Sequence, residues 1–289
     1  MKDYTKEIAE LETLRKRVRV SYGLYALVLG VGLVMAFVIN VYWTIAISIL
    51  ALLFYFAVSR KDIAAYKNKY QEIKIKQELA DFFPHVEIVA KSLFPSQALV
   101  EDILVPQEAK KGIVRTGLKG ENSLGMKIQL ADVAFPVTLP KRNGSNKYEI
   151  VSGCYLRLKG AGRASQDDSK PLALFRRDNR FAEYLKKHYE QEGLQEEIWG
   201  QFYVFSSTGQ ARSEGKLTAW ELMISKLLLG NDVLLLGDNC LKFLMIAHFL
   251  NVGSLSYNQP VTRKTFDYLL LPQFPDVMEL AKEYLKGKE

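Results

Sequence analysis

The sequence predicts an α+β protein, with an N-terminal transmembrane helical hairpin followed by a cytoplasmic domain of mixed helices and antiparallel sheet. Three observations predict it. Residues Val20 to Ser59 contain no Asp, Glu, Lys, Arg or His. Charge is dense on both sides of that block. After residue 95, short strand-like runs and helical periodicities follow one another without the regular strand–helix alternation of a doubly wound sheet.

The apolar block sets the first division. As one helix its 40 residues would extend roughly 60 Å. A bilayer core is about 30 Å thick and takes roughly 20 residues, so two passes fit better than one. Asn40 is the block's only amide, in Ile39-Asn40-Val41-Tyr42-Trp43. Asn favours turns, and Tyr and Trp favour the headgroup interface. The expected spans are 20–39 and 42–59. A secretory signal has an apolar region of only about 7–15 residues, which this block exceeds.

Orientation follows from the flanks. Arg15, Lys16, Arg17 and Arg19 precede the block; Arg60, Lys61, Lys67 and Lys69 follow it. The positive-inside rule then places both termini in the cytoplasm of a multi-pass inner (plasma) membrane protein. Gly23 and Gly30 share a face of the first helix and Gly32 does not; small residues allow close helix approach. The absence of ionisable residues within the block argues against a proton or ion pathway.

Four regions result: an N-terminal helix (1–19), the membrane hairpin (20–59), a charged helical stalk (60–95) and a soluble domain (96–289). In the first, Ile8, Leu11 and Leu14 recur at spacing three. In the third, Ile63, Tyr66, Tyr70, Ile73 and Gln77 recur at spacings of three and four. The two stripes are expected to pair. The stalk helix is expected to continue or restart through Asp81–Phe94, with Pro84 as a kink or break.

In the soluble region, strands are expected at Lys111–Arg115, Met126–Leu130, Ala134–Leu139, Tyr148–Lys159 and Gln201–Ser206. Asn143-Gly144 is a hairpin signal. Gly153 suggests a bulge or sharp bend. Helices are expected at Asp178–Glu192, Ala211–Leu229 and Asp276–Lys286. Val233–Leu236 reads as a strand and Cys240–Leu250 as a strand or short helix.

Net charge is +7, with six Lys/Arg against four Asp/Glu in residues 1–19 and six against two in residues 60–76. From Ser92 onward the count is nearly balanced, 26 against 23. The basic excess lies beside the membrane block, which argues for anionic lipid and against nucleic acid.

The search for chemistry is empty. His85, His188 and His248 have no metal-ligand spacing, and Cys154 and Cys240 form no ligand pair. In the cytoplasm those two thiols are expected to be free. No nucleophile elbow, zinc-protease helix, Walker loop or dinucleotide fingerprint is present. Gly160-Ala161-Gly162 lacks the spacing of a phosphate loop. Asp167-Asp168 could bind a cation, although a polar loop often carries such a pair; Glu192, Glu196 and Glu197 read as a solvated acidic run. No catalytic residue, metal or cofactor is assigned.

The Phe82-Phe83 pair, Ser152-Gly153-Cys154-Tyr155-Leu156, Phe202-Tyr203-Val204-Phe205 with Gln210-Ala211-Arg212, and Ala247-His248-Phe249 together carry a resemblance. Over most of residues 60–270 the chain resembles an uncharacterised bacterial membrane family, domain of unknown function 3137. The resemblance implies a transmembrane pair followed by a cytoplasmic domain, and it carries no activity. The functional expectation is a membrane-anchored cytoplasmic scaffold or interaction protein, touching membrane lipid and a protein partner or a second copy of itself. A membrane-bound hydrolase or lipid-modifying enzyme, or an accessory subunit of a transport complex, is the alternative.

Overall fold

The computed structural model describes residues 5–38, 41–79, 81–89, 93–101, 111–140, 146–160, 172–207, 221–237, 239–246, 257, 260–262 and 272–286. The chain divides into two compact units. One comprises Met1–Glu78 with Val252–Leu269; the other comprises Leu79–Asn251 with Leu270–Glu289.

The first unit is helical. Helix α1 (Thr5–Val38) joins the charged N-terminal stretch to the first apolar stretch without a break. Helix α2 (Val41–Phe54) is followed by one wide π-turn at Tyr55–Ser59 and then by α3 (Arg60–Leu79). Ile8, Leu11, Leu14 and Val18 of α1 form one cluster with Ile63, Tyr66, Tyr70 and Ile73 of α3. This is the pairing that the two stripes predict, although Gln77 is exposed. Between α1 and α2 the close approach is at Gly32, where an added Cβ would stand 2.6 Å from Ile47 Cγ2. Gly23 and Gly30 have open space beside them.

The expected two-pass hairpin is overturned. Among the described helices only α1, over Thr5–Met35, is long and apolar enough to cross a membrane. Helix α2 has 14 residues, about 21 Å, which falls short of a core roughly 30 Å thick. The multi-pass topology with both termini on one side falls with it. The sequence reading counted all forty charge-free residues as spanning length; the helix boundaries divide them unequally.

The second unit is built on one nine-stranded sheet. Its strands are β1 (His85–Val89), β2 (Ile113–Glu121), β3 (Lys127–Pro140), β4 (Asn146–Lys159), β5 (Leu172–Arg176), β6 (Gln195–Trp199), β7 (Phe202–Ser206), β8 (Val233–Gly237) and β9 (Cys240–Ile246). The order is β1-β2-β3-β4-β9-β8-β5-β7-β6, and every neighbouring pair is antiparallel. The helices of this unit are α4 (Gln97–Glu101), α5 (Ala182–Gln191), α6 (Glu221–Leu227) and α7 (Phe274–Lys286).

Successive residues of a strand face opposite sides of the sheet. One face presents Val133, Phe135, Tyr155, Leu244, Val233, Leu235, Ala173, Phe175 and Phe205, packed with Leu99 of α4 and Leu185 and Tyr189 of α5. Residues of the other face, including Ile128, Leu130, Leu156, Leu158, Phe243, Leu234 and Leu174, are buried as well. A sheet covered on both faces needs nearly continuous apolar strands, and Val-Leu-Leu-Leu in β8 and Cys-Leu-Lys-Phe-Leu-Met-Ile in β9 supply them.

Three local expectations change. The helix expected through Asp81–Phe94 ends at Leu79, and His85–Val89 is a strand paired with Gly117–Glu121. The runs Met126–Leu130 and Ala134–Leu139 are parts of one strand, β3. Gly153 makes no bulge, since β3 and β4 pair in unbroken register; the irregularity lies between Val114 and Gly117 of β2. Gly153 instead admits the neighbouring strand, because a Cβ there would stand 2.3 Å from the Met245 carbonyl oxygen. The Asn143-Gly144 turn, His248, Asp167-Asp168, Asn40 and most of the expected 211–229 helix lie outside the described residues.

Candidate functional site

In the helical unit a polar cluster lies on α1 just before its apolar stretch. Glu12 and Arg15 are one helical turn apart and form a two-pronged ion pair. Arg15 Nε donates to Glu12 Oε2 at 2.8 Å, and Nη2 donates to Oε1 at 2.6 Å. Each partner then uses a remaining valence on a distant segment of chain. Arg15 Nη1 donates to the carbonyl oxygen of Tyr257 at 2.8 Å, and Glu12 Oε2 accepts from the amide of Val261 at 3.0 Å.

The planar guanidinium fork suits this geometry, since it holds a carboxylate with two donors and keeps a third for a carbonyl. Arg15 is buried. A buried arginine is stabilised only when paired, and here the same pair fixes Tyr257 and Val261 against α1.

Aromatic rings line the same place. Tyr257 packs against Tyr22 of α1 at 5.7 Å and Tyr66 of α3 at 5.5 Å between ring centroids. Burial pushes the Tyr66 hydroxyl up to about 12. Nearly two turns beyond Arg15 along α1, Ser21 Oγ donates to Asp62 Oδ2 at 2.6 Å. Lys69 bridges the helices to Glu10 at 2.9 Å. The result is a latch: α1, α3 and a segment from far along the chain meet where α1 turns apolar.

The sheet unit holds buried polar groups of a different kind. Asp132 on β3 lies opposite Cys154 on β4. Burial, with the Asp132 charge adding to it, pushes the Cys154 thiol well above its ordinary value, so it is a poor nucleophile. Cys240 pairs with Lys159, five residues from Cys154 along β4, or roughly 16 Å. The two thiols are buried, form no disulfide and are too far apart to bridge.

Asp232 precedes β8 and is almost wholly buried. Its Oδ1 accepts from the Ile246 amide at 2.8 Å and its Oδ2 from the Leu229 amide at 3.3 Å. Burial raises it to about 7 against the opposing pull of those two donors. It is a tie between the turn before β8 and the end of β9, a role that the sequence reading missed.

The residues weighed from sequence do not converge. His188 sits on α5 beside Tyr189, its Nε2 buried without a hydrogen-bond partner, and burial lowers its basicity. His85 is exposed on edge strand β1. Glu196 pairs with Lys186 at 3.0 Å, and Glu192 is exposed. Among the described residues no group of three or more His, Cys, Asp or Glu could hold a metal ion.

No family model, curated protein or solved structure matches this chain. The functional reading therefore stands on residues and geometry.

Proposed function

We propose that this chain is a membrane-anchored scaffold or interaction protein, held in the bilayer by α1 and presenting its sheet unit to a protein partner. One observation carries the anchor: only 17 % of the apolar window of α1 is buried within the protein. The central helix of a water-soluble domain buries such a face. The charge-free part, Val20–Val38, is about 28 Å long, close to the thickness of a bilayer core. The latch supports the interaction role, because it ties the start of that apolar segment to a stretch of chain that leads on to α7.

The test is extraction and crosslinking on intact membranes. The full chain is expected to stay with membranes through an alkaline carbonate wash. The double variant Leu27→Arg, Val31→Arg is expected to move to the soluble fraction, since each Arg near mid-bilayer costs about 2.5–3.5 kcal/mol on insertion scales. Crosslinking followed by mass analysis is expected to recover one distinct protein in stable ratio. Wild-type chain in the wash supernatant would end the anchor reading; recovery of the chain alone would end the scaffold reading.

A further inference from the structure

We infer that one end of the β3–β4 ribbon is a contact surface for an anionic membrane. The inference rests on the anchor reading above and extends it to a second, peripheral contact made by the sheet unit. β9 pairs with β4 only as far as Gly153, and β2 pairs with β3 only as far as Ala134. Beyond those points β3 and β4 run on as a two-stranded ribbon, pairing as far as Pro140 and Asn146.

The register puts Ile113, Ile150 and Tyr148 on the same face of this end, through the pairs Ile113–Ala134, Ala134–Ser152, Pro136–Ile150 and Thr138–Tyr148. All three large side chains are open to solvent, at 58 %, 64 % and 67 %. Elsewhere on the described sheet, large apolar side chains are buried or half-buried; Ile198 on edge strand β6 is an exception, at 52 %.

Charge selects the occupant. Lys111 and Arg115 flank Ile113 in sequence, and both are exposed. Lys147, beside Tyr148, is 56 % exposed but pairs with Glu149 at 3.1 Å, so it contributes less. A Tyr and two Ile amid cations suit the headgroup region, where Tyr keeps its hydroxyl wet and Lys and Arg meet anionic lipid. Each cation without an ion pair among the described residues gives about a fivefold preference for an anionic over a neutral surface, so Lys111 and Arg115 together give about 25-fold. A chain already tethered by α1 holds the domain at high local concentration near the bilayer, so this modest preference is sufficient.

The test uses the full chain with a polarity-sensitive dye on Ile150→Cys, and separately on Ile198→Cys as the control. The buried Cys154 and Cys240 do not compete for label. Each protein is reconstituted in vesicles of neutral phosphatidylcholine, with or without phosphatidylglycerol, and quenched by brominated lipid. The expected result is strong quenching at 150 in anionic vesicles only, reversal in high salt, and none at 198. Lys111→Gln with Arg115→Gln is expected to abolish it while the protein still floats with the vesicles. Equal signals at 150 and 198, or a signal independent of lipid charge, would overturn the inference. So would one that follows protein density in the bilayer, since that marks a second copy on the patch. Failure to float would instead mark failure of the anchor reading.

Discussion

The two units use the same apolar side chains in opposite ways. In the sheet unit Leu130 and Leu156 are fully buried, whereas on α1 Leu27 is 64 % exposed and Val31, Leu33 and Val34 are comparably open. The sheet supplies its own apolar solvent by covering both faces; α1 and α2 leave many of their apolar side chains exposed. The polar groups mirror this. In the sheet unit a buried carboxylate is tied to backbone amides of its own turn and of the neighbouring strand β9. In the helical unit a buried arginine reaches across 242 residues to a carbonyl. A unit with a small internal core depends more on a few directional contacts.

The largest test of that contrast is Arg15→Ala. It leaves Glu12 without its fork partner and frees the Tyr257 carbonyl. Breaking a buried pair by removing one member costs about 3–5 kcal/mol. The Val261 amide should then lose hydrogen-exchange protection by roughly 100-fold or more. Arg15→Lys, which keeps charge without the fork, should recover only part of it. Protection in β8 and β9 is expected to be unchanged. If protection falls equally in both units, the latch is not local and the contrast fails.

A second test compares two glycines, one in each unit. Gly153→Ala drives a methyl into the Met245 backbone and forces β4 and β9 apart. Overpacking of this kind costs about 1–3 kcal/mol, and more where the obstruction is backbone. Gly30→Ala meets nothing within 4 Å and gains helix propensity, so it should be neutral or slightly stabilising. The readout is chemical unfolding of the full chain in detergent. A Gly153→Ala protein as stable as wild type would mean the strands yield easily.

These cases show what was legible. Periodicity alone paired Ile8, Leu11 and Leu14 with Ile63, Tyr66, Tyr70 and Ile73, because a stripe at 3.6-residue spacing has to be covered. The strands around Asn143-Gly144 were legible because β-branched and aromatic residues alternate on both sides. Strand β1 was not: five residues, His-Val-Glu-Ile-Val, satisfy either period, and the charged helix before them biased the reading. The latch was invisible for another reason. Glu12 and Arg15 at i and i+3 look like any solvated helix pair, and nothing near Tyr257 in the sequence says that it returns to α1. Gly153 signalled a special backbone need, but sequence does not say whether that need is conformational or, as here, room for a neighbouring strand.

The effect that is smallest at a single pH is the most diagnostic of the sheet unit's polar interior. Asp232 is raised to about 7 in the fold, against about 3.9 in an unfolded chain. A raised carboxylate favours the fold in its protonated form. Its contribution is therefore complete below about pH 4 and is lost as pH rises through about 7, at up to about 1.4 kcal/mol per pH unit between those limits. Asp232→Asn removes that slope, but its amide carbonyl can accept from only one of the Ile246 and Leu229 amides, and its NH2 faces the other. The variant should be less stable than wild type by about 1–2 kcal/mol at pH 5, with the gap closing and then reversing as pH rises through about 7. His188, whose basicity is lowered, acts in the opposite sense: it is depressed in the fold, so its contribution is lost as pH falls through and below about 6.5. That loss occurs in both proteins and cancels in the difference. Unfolding midpoints of the two measured across this range decide it, since parallel curves would mean that Asp232 stays ionised and that its two amide donors outweigh its burial.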